Sequence, residues 1–123
     1  MDPKHILVTG ANGLLGSALV QRGCLGLPRR DLDICDAASV ADALDRYQPT
    51  TLINAAAQAN VNLAETETER SFAVNGNAVQ ILADACHKRG VHLIHISTDY
   101  VLDSPEIPFL HEGLPTNPRS AYA

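Results

Sequence analysis

The stretch TGANGLLG, Thr9 to Gly16, decides how the rest of the chain is read. Before it stands HILVTG, His5–Gly10, a continuous apolar run that ends in glycine, as a buried parallel strand does. After it comes GLLGSALVQR, which places Leu15, Ala18 and Leu19 on one helical face. Gly10, Gly13 and Gly16 therefore have GxxGxxG spacing between a strand and a helix. Glycines at such a junction permit a tight turn and let backbone N–H groups approach a pyrophosphate, toward which the helix N-terminus points its partial positive charge. A glycine-rich turn that binds nothing is the bland alternative. The flanking strand and helix favour the anion site.

Outward from this junction the chain alternates short apolar runs with helix-period stretches. Cys24–Leu27 is a brief second strand. DAASVADALDRY predicts a helix with Asp36 as N-cap and Val40, Leu44 and Tyr47 along one face. TLINAAA, Thr51–Ala57, is a third strand, followed by a loop. Thr66 and Glu69 have capping-box spacing, and Phe72, Asn75, Val79, Leu82 and Cys86 form one face of a long helix closed by Lys88, Arg89 and Gly90. VHLIHIS is a last core strand, and four prolines from Ser104 onward mark a long loop. This alternation predicts an α/β fold, a Rossmann-like doubly wound parallel sheet with helices on both faces.

With 123 residues, 46% of them hydrophobic and 19% charged, the chain can build one core but not two. A net charge of −5 argues against a nucleic-acid backbone or an anionic membrane as partner. Three scattered cysteines, Cys24, Cys35 and Cys86, offer neither a disulfide framework nor a thiolate metal site. His92 and His95 lack carboxylate or cysteine neighbours at ligand spacing, so no metal is expected. The absence of a signal-like start or a long apolar run fits a cytoplasmic protein.

Two further stretches carry chemistry. About 20 residues past the glycine loop, an acid favours NAD and an arginine accommodates the 2′-phosphate of NADP. Here PRRDLD presents Arg29 and Arg30 before Asp31 and Asp33, which tilts the expectation toward NADPH with NADH as the alternative. HISTDYV, His95–Val101, brings Ser97, Thr98 and Asp99 to a strand end, where doubly wound sheets bind ligands. By itself Thr98 fits a local turn former as well as a functional group.

TGANGLLG, DLDICD, INAAAQANV, AVNGNAVQILADAC, HISTDYVLD and NPRSAYA, in this order, resemble the extended short-chain dehydrogenase/reductases, and among them the dTDP-4-dehydrorhamnose reductases. The resemblance covers the whole chain. It implies an NADPH-dependent oxidoreductase that reduces a nucleotide-linked 4-keto sugar for dTDP-L-rhamnose and polysaccharide synthesis, in a form compatible with a homo-oligomer. Residues 1–123 would be the dinucleotide-binding domain only, with the later strands and the substrate domain absent. Gly10, Asn12, Gly13, Leu14, Leu15 and Gly16 would form the pyrophosphate loop. Arg29 would lie near the adenosine phosphate, Asp33 and Ile34 beside adenine, and Ala55, Ala56 and Ala57 along the cofactor, with Asn75 supporting the site from beneath. Thr98 would hydrogen-bond the reacting oxygen and Tyr122 protonate it, as the tyrosine of a Tyr-x-x-x-Lys motif.

That resemblance has departures. The lysine would fall three residues past Ala123, so these residues by themselves are expected to bind dinucleotide and not to reduce. Tyr122, next to last, is expected to be poorly ordered unless other segments tie it down. Ser104 and Ala123 stand where the family often has glycine. The rivals are a 4,6-dehydratase or epimerase of the same superfamily and a non-catalytic binding subunit like the regulatory beta subunit of methionine adenosyltransferase. Thr98-Asp99-Tyr100 lacks the glutamate that a dehydratase needs, and NAAA lacks the epimerase histidine.

Overall fold

The computed structural model describes residues 5–102 and 108–123. Ser104 and Pro105, with the start of the proline-rich loop, lie outside the described residues. Four strands form one parallel sheet: β1 (Ile6–Thr9), β2 (Leu25–Leu27), β3 (Thr51–Asn54) and β4 (His92–His95), in the order β2-β1-β3-β4. The chain leaves β1 toward β2 on one side and returns to place β3 on the other. That reversal opens a crevice at the carboxyl ends of β1 and β3.

The two faces of the sheet are covered by different helices. Leu25, Leu7, Leu52 and Leu93 stand in register across the four strands. They pack with Val40 and Leu44 of α2 (Ala37–Tyr47) and with Leu82 and Cys86 of α5 (Ala78–Arg89). Side chains alternate across a strand, so Val8 and Gly26 face the other way. There they meet α1 (Leu14–Gln21): a Cβ on Gly26 would sit 2.3 Å from Val20 Cγ2. Two helices on one face and one on the other make the sheet doubly wound, as expected.

Local chemistry explains most boundaries. Asp36 caps α2, its Oδ1 accepting the Ala38 N–H at 2.9 Å. Gly90 closes α5 after Lys88 and Arg89, again as expected. Arg89 reaches from α5 to α2 and grips Asp45 with two N–H···O bonds, of 2.7 and 2.9 Å.

Several expectations need correction. β3 stops at Asn54, so Ala55–Ala57 run past the strand end. The expected loop after it holds a short helix, α3 (Val61–Thr66), capped by Asn60. Thr66 forms no capping box: its hydroxyl donates to Leu63 O within α3, and Glu67 starts α4 (Thr68–Phe72) without a side-chain cap. Between α4 and α5 lies a π-helical turn, Ala73–Asn77. The extra residue in such a turn moves the buried face back by one, to Ser71 and Val74, and leaves Phe72 57% exposed. β4 is an edge strand, with Ile94 39% exposed, because no strand lies beyond it among the described residues. On α1, Leu15 is exposed and Ala18 and Leu19 are half-buried, while Gly16 is the buried residue. Tyr47 at the end of α2 is also surface-exposed and lies under the Arg46 guanidinium.

Candidate active site at the sheet's carboxyl edge

The crevice between β1 and β3 is built backbone against backbone. Gly10 has φ +65°, and a Cβ there would come within 2.8 Å of Ala55 O and Ala56 N. A Cβ on Gly16 would lie 2.2 Å from Gly10 O, so α1 seats directly on the loop. The Gly13 N–H donates to Gly10 O at 2.9 Å, which closes the tight turn that aims the α1 N-terminus into the crevice.

A cleft of about 330 Å³ results. Gly10, Asn12, Gly13, Arg29, Asp33, Ile34 and Ala55–Ala57 line it, all of them named by the sequence. Leu14 and Leu15 do not; Leu14 is 95% exposed at the helix start. Gly16 is buried beneath the loop, where it allows the close approach rather than lining the space. Arg29 pairs with Asp33 at 3.5 Å, and Ile34 is buried in the core. Cys35 also lines the cleft. Burial, then the Asp33 carboxylate, push its thiol up, so it stays protonated near neutrality and is a poor nucleophile.

A second, smaller cavity of about 80 Å³ adjoins the first and shares Ala56 and Ala57 with it. Asn75, His95, Thr98 and Tyr122 line this one. Asn75 sits on the π-helical turn and grips the loop after β3: its Oδ1 accepts the Gln58 N–H at 2.8 Å and its Nδ2 donates to Gln58 O at 3.0 Å. Thr98 Oγ1 accepts the Tyr100 N–H at 3.3 Å, so the local turn-forming role is present beside any other.

Tyr122 is tied down. Its ring meets Tyr100 edge to face, with centroids 5.7 Å apart. The Ala121 N–H donates to Glu65 Oε1 at 2.8 Å, and the Asn117 N–H donates to Val101 O at 2.7 Å. Nothing local in the sequence marks Glu65 for this contact, because 56 residues separate the partners. Arg70 and Gln58 also line the cleft unannounced. Gln58 follows the three alanines directly, a position that adjacency alone could have flagged, whereas nothing local marks Arg70. Among the described residues no three metal-ligating side chains cluster, and no helix is long and apolar enough to cross a membrane.

A parallel doubly wound sheet, with a glycine turn leading into a helix at its switch point, defines a Rossmann-like nucleotide-binding class. Residues 4–123 match the family described as RmlD substrate binding domain, and the chain belongs to that family. It is 41% identical over 122 residues to a dTDP-4-keto-6-deoxy-D-glucose reductase of Streptomyces niveus, covering 94% of this chain and 42% of the relative. It is 40% identical over 122 residues to a dTDP-4-dehydrorhamnose reductase of Streptomyces griseus, covering 94% and 40%. The fold superposes with a TM-score of 0.87 on dTDP-4-dehydrorhamnose reductase from Bacillus anthracis in complex with NADP. That pair is 30% identical and covers 95% of this chain and 44% of the other. The chain thus spans less than half the length of the relatives it matches.

Proposed function

We propose that these residues form the dinucleotide-binding part of an NADPH-dependent reductase acting on a nucleotide-linked 4-keto sugar, dTDP-4-dehydrorhamnose. One observation carries the reading: the glycine cleft and the Thr98–Tyr122 cavity meet along Ala56 and Ala57. A ligand stretched through both would put its far end beside the two hydroxyls. The cleft also suits a polar ligand, because Gln58 lines it and Gln58 Nε2 is buried without a hydrogen-bond partner.

The residues then take the following roles. Gly10, Asn12 and Gly13 present backbone to the pyrophosphate, Gly16 admits the close helix approach, and Leu14 and Leu15 carry the chain into α1. Arg29, 69% exposed at its side chain, turns from Asp33 to the 2′-phosphate that distinguishes NADPH from NADH. Asp33 and Ile34 border the adenine, and Ala55–Ala57 leave room along the cofactor. Asn75 holds the loop that forms the shared wall. When bound, NADPH supplies the hydride.

A carbonyl that accepts hydride becomes an alkoxide and needs a proton and hydrogen bonds on its oxygen. Tyr122 gives that proton and Thr98 donates the hydrogen bond. The resemblance pairs this tyrosine with a lysine four residues beyond it, whose charge would ease the proton's release. Residues 1–123 by themselves therefore bind dinucleotide without reducing the sugar, and the activity belongs to a protein of the relatives' length.

Fluorescence titration of the chain with NADPH and NADH, alongside an assay with dTDP-4-dehydrorhamnose, tests this. Binding with NADPH favoured and no turnover by the 123 residues is the expected result, with turnover appearing in a protein of the relatives' length. Failure to bind either dinucleotide overturns the assignment. Binding without turnover at the longer length marks a regulatory binding subunit instead.

A further inference from the structure

The last residues of three neighbouring strands, Thr9, Asn54 and His95, stand in register at the carboxyl edge of the sheet. They lie one pleat beyond the Leu7–Leu52–Leu93 row, on the same face, and their side chains form a continuous hydrogen-bonded line. Thr9 Oγ1 donates to Asn54 Oδ1 at 2.6 Å, and Asn54 Nδ2 lies 3.1 Å from His95 Nδ1. Thr9 and Asn54 are 0% and 1% exposed, so neither can exchange these partners for bulk water. His95 is exposed on the wall of the cavity that also holds Thr98 and Tyr122.

The backbone orders the protons in this line. The Ala56 N–H can only donate, and it lies 3.3 Å from both Asn54 Oδ1 and Thr9 Oγ1. With the Asn54 oxygen facing Ala56, that N–H has two acceptors and no donor opposes it, and this orientation leaves the amide nitrogen facing His95. An amide nitrogen only donates, so His95 Nδ1 must accept, and the ring proton resides on Nε2. The contact thus places the N–H of the neutral ring on Nε2, at the edge away from the sheet.

We propose that His95 is a hydrogen-bond donor of the reductase cavity, serving an oxygen acceptor of the bound ligand through Nε2–H. Asn54 is the positioning residue that selects this tautomer. The proposal rests on the function given above. It adds a third polar side chain to Thr98 and Tyr122. It also joins the two halves of the site, since Thr9 directly precedes the Gly10 turn and His95 begins the segment leading to Thr98.

Nitrogen-15 NMR on the chain at mildly alkaline pH tests the tautomer without reference to activity. A coupling across the N–H···N bond from Asn54 Nδ2 to His95 Nδ1 is expected, with the ring proton on Nε2. Asn54→Asp replaces the donor by an acceptor and is expected to move that proton to Nδ1. A ring proton on Nδ1 in the unaltered chain, or no coupling there, overturns the tautomer assignment even if the Asp variant does not fold.

In a protein of the relatives' length, His95→Leu is expected to lower kcat/KM by about tenfold, the worth of one hydrogen bond. His95→Gln, which keeps a neutral N–H donor, should restore most of that loss. Equal losses in both variants, or none in either, overturn the role in the cavity. If the unaltered protein reduces no keto sugar, the proposed function fails and takes the cavity role with it, while the ring measurement still decides the tautomer.

Discussion

Gly10 and Gly16 show how a single missing Cβ can organise a site. Gly10 holds φ +65°, where an L side chain costs about 1–2 kcal/mol before any clash is counted. A Cβ there would also press on the Ala55 carbonyl and the Ala56 N–H. Gly10→Ala is expected to lower the urea midpoint and abolish NADPH binding, because relief of the contact pushes β1's loop away from β3's. Unchanged dinucleotide affinity in that variant would remove the loop from the binding site. The glycine pattern was visible in the sequence because the turn is local. The reason Gly16 must be glycine was not: it depends on where the Gly10 carbonyl ends up in space. Leu14 and Leu15 belong to the same motif but do not line the cleft, because the helix turns their side chains outward.

Among the elements, α2 was legible almost to its ends and α5 at its closing end, since a cap, a period and a closing glycine are all local signals. Their mutual contact was not. Arg89 holds the Asp45 carboxyl below its ordinary range, chiefly through its hydrogen bonds and then through its charge. A depressed carboxylate contributes stability that is present above its unfolded pKa, about 3.9, and lost as pH falls through its folded value. The stability gap between the unaltered chain and Asp45→Asn should therefore be constant at neutral pH and close below about pH 4. Urea midpoints across that range check it, and a gap that widens on acidification contradicts the pairing.

The α3 helix belongs to the same scale. Its Glu65 anchors the segment bearing Tyr122 by accepting the Ala121 N–H. Glu65→Ala should speed amide exchange at Ala121, and Glu65→Gln, which keeps an acceptor oxygen, should not. Identical exchange in all three forms would show that the Tyr100–Tyr122 contact suffices.

For the whole molecule, the two sheet faces are unequally covered. The α2–α5 face is closed, but on the other side α1 lies over β1 and β2, leaving Ile94 of β4 open. Val20 and Leu15 of α1 are 39% and 41% exposed. Open apolar surface of this kind binds hydrophobic dyes. The 123-residue chain should enhance the fluorescence of anilinonaphthalene sulfonate while folded, and Ile94→Ser should reduce the enhancement. No enhancement by the folded chain would mean that this face closes on itself or on a second copy.

The sequence by itself determined the four strands with α1, α2 and the end of α5, the parallel doubly wound class, the glycine turn and the neighbourhood of the cleft. Those follow from periodicity, caps and turn chemistry, which act over a few residues. Tertiary structure alone decided which side of the long helix, of α1 and of β4 is buried. The π-helical turn shifts the buried face of the long helix, and β4 ends at an edge where a core strand was expected. It alone also joined Asn75 to Gln58, Glu65 to Ala121, and Thr9 through Asn54 to His95. Those bonds link residues from 17 to 56 positions apart. A hydrogen bond needs its partners within about 3 Å, and only the folded sheet sets that distance for residues so far apart in the chain.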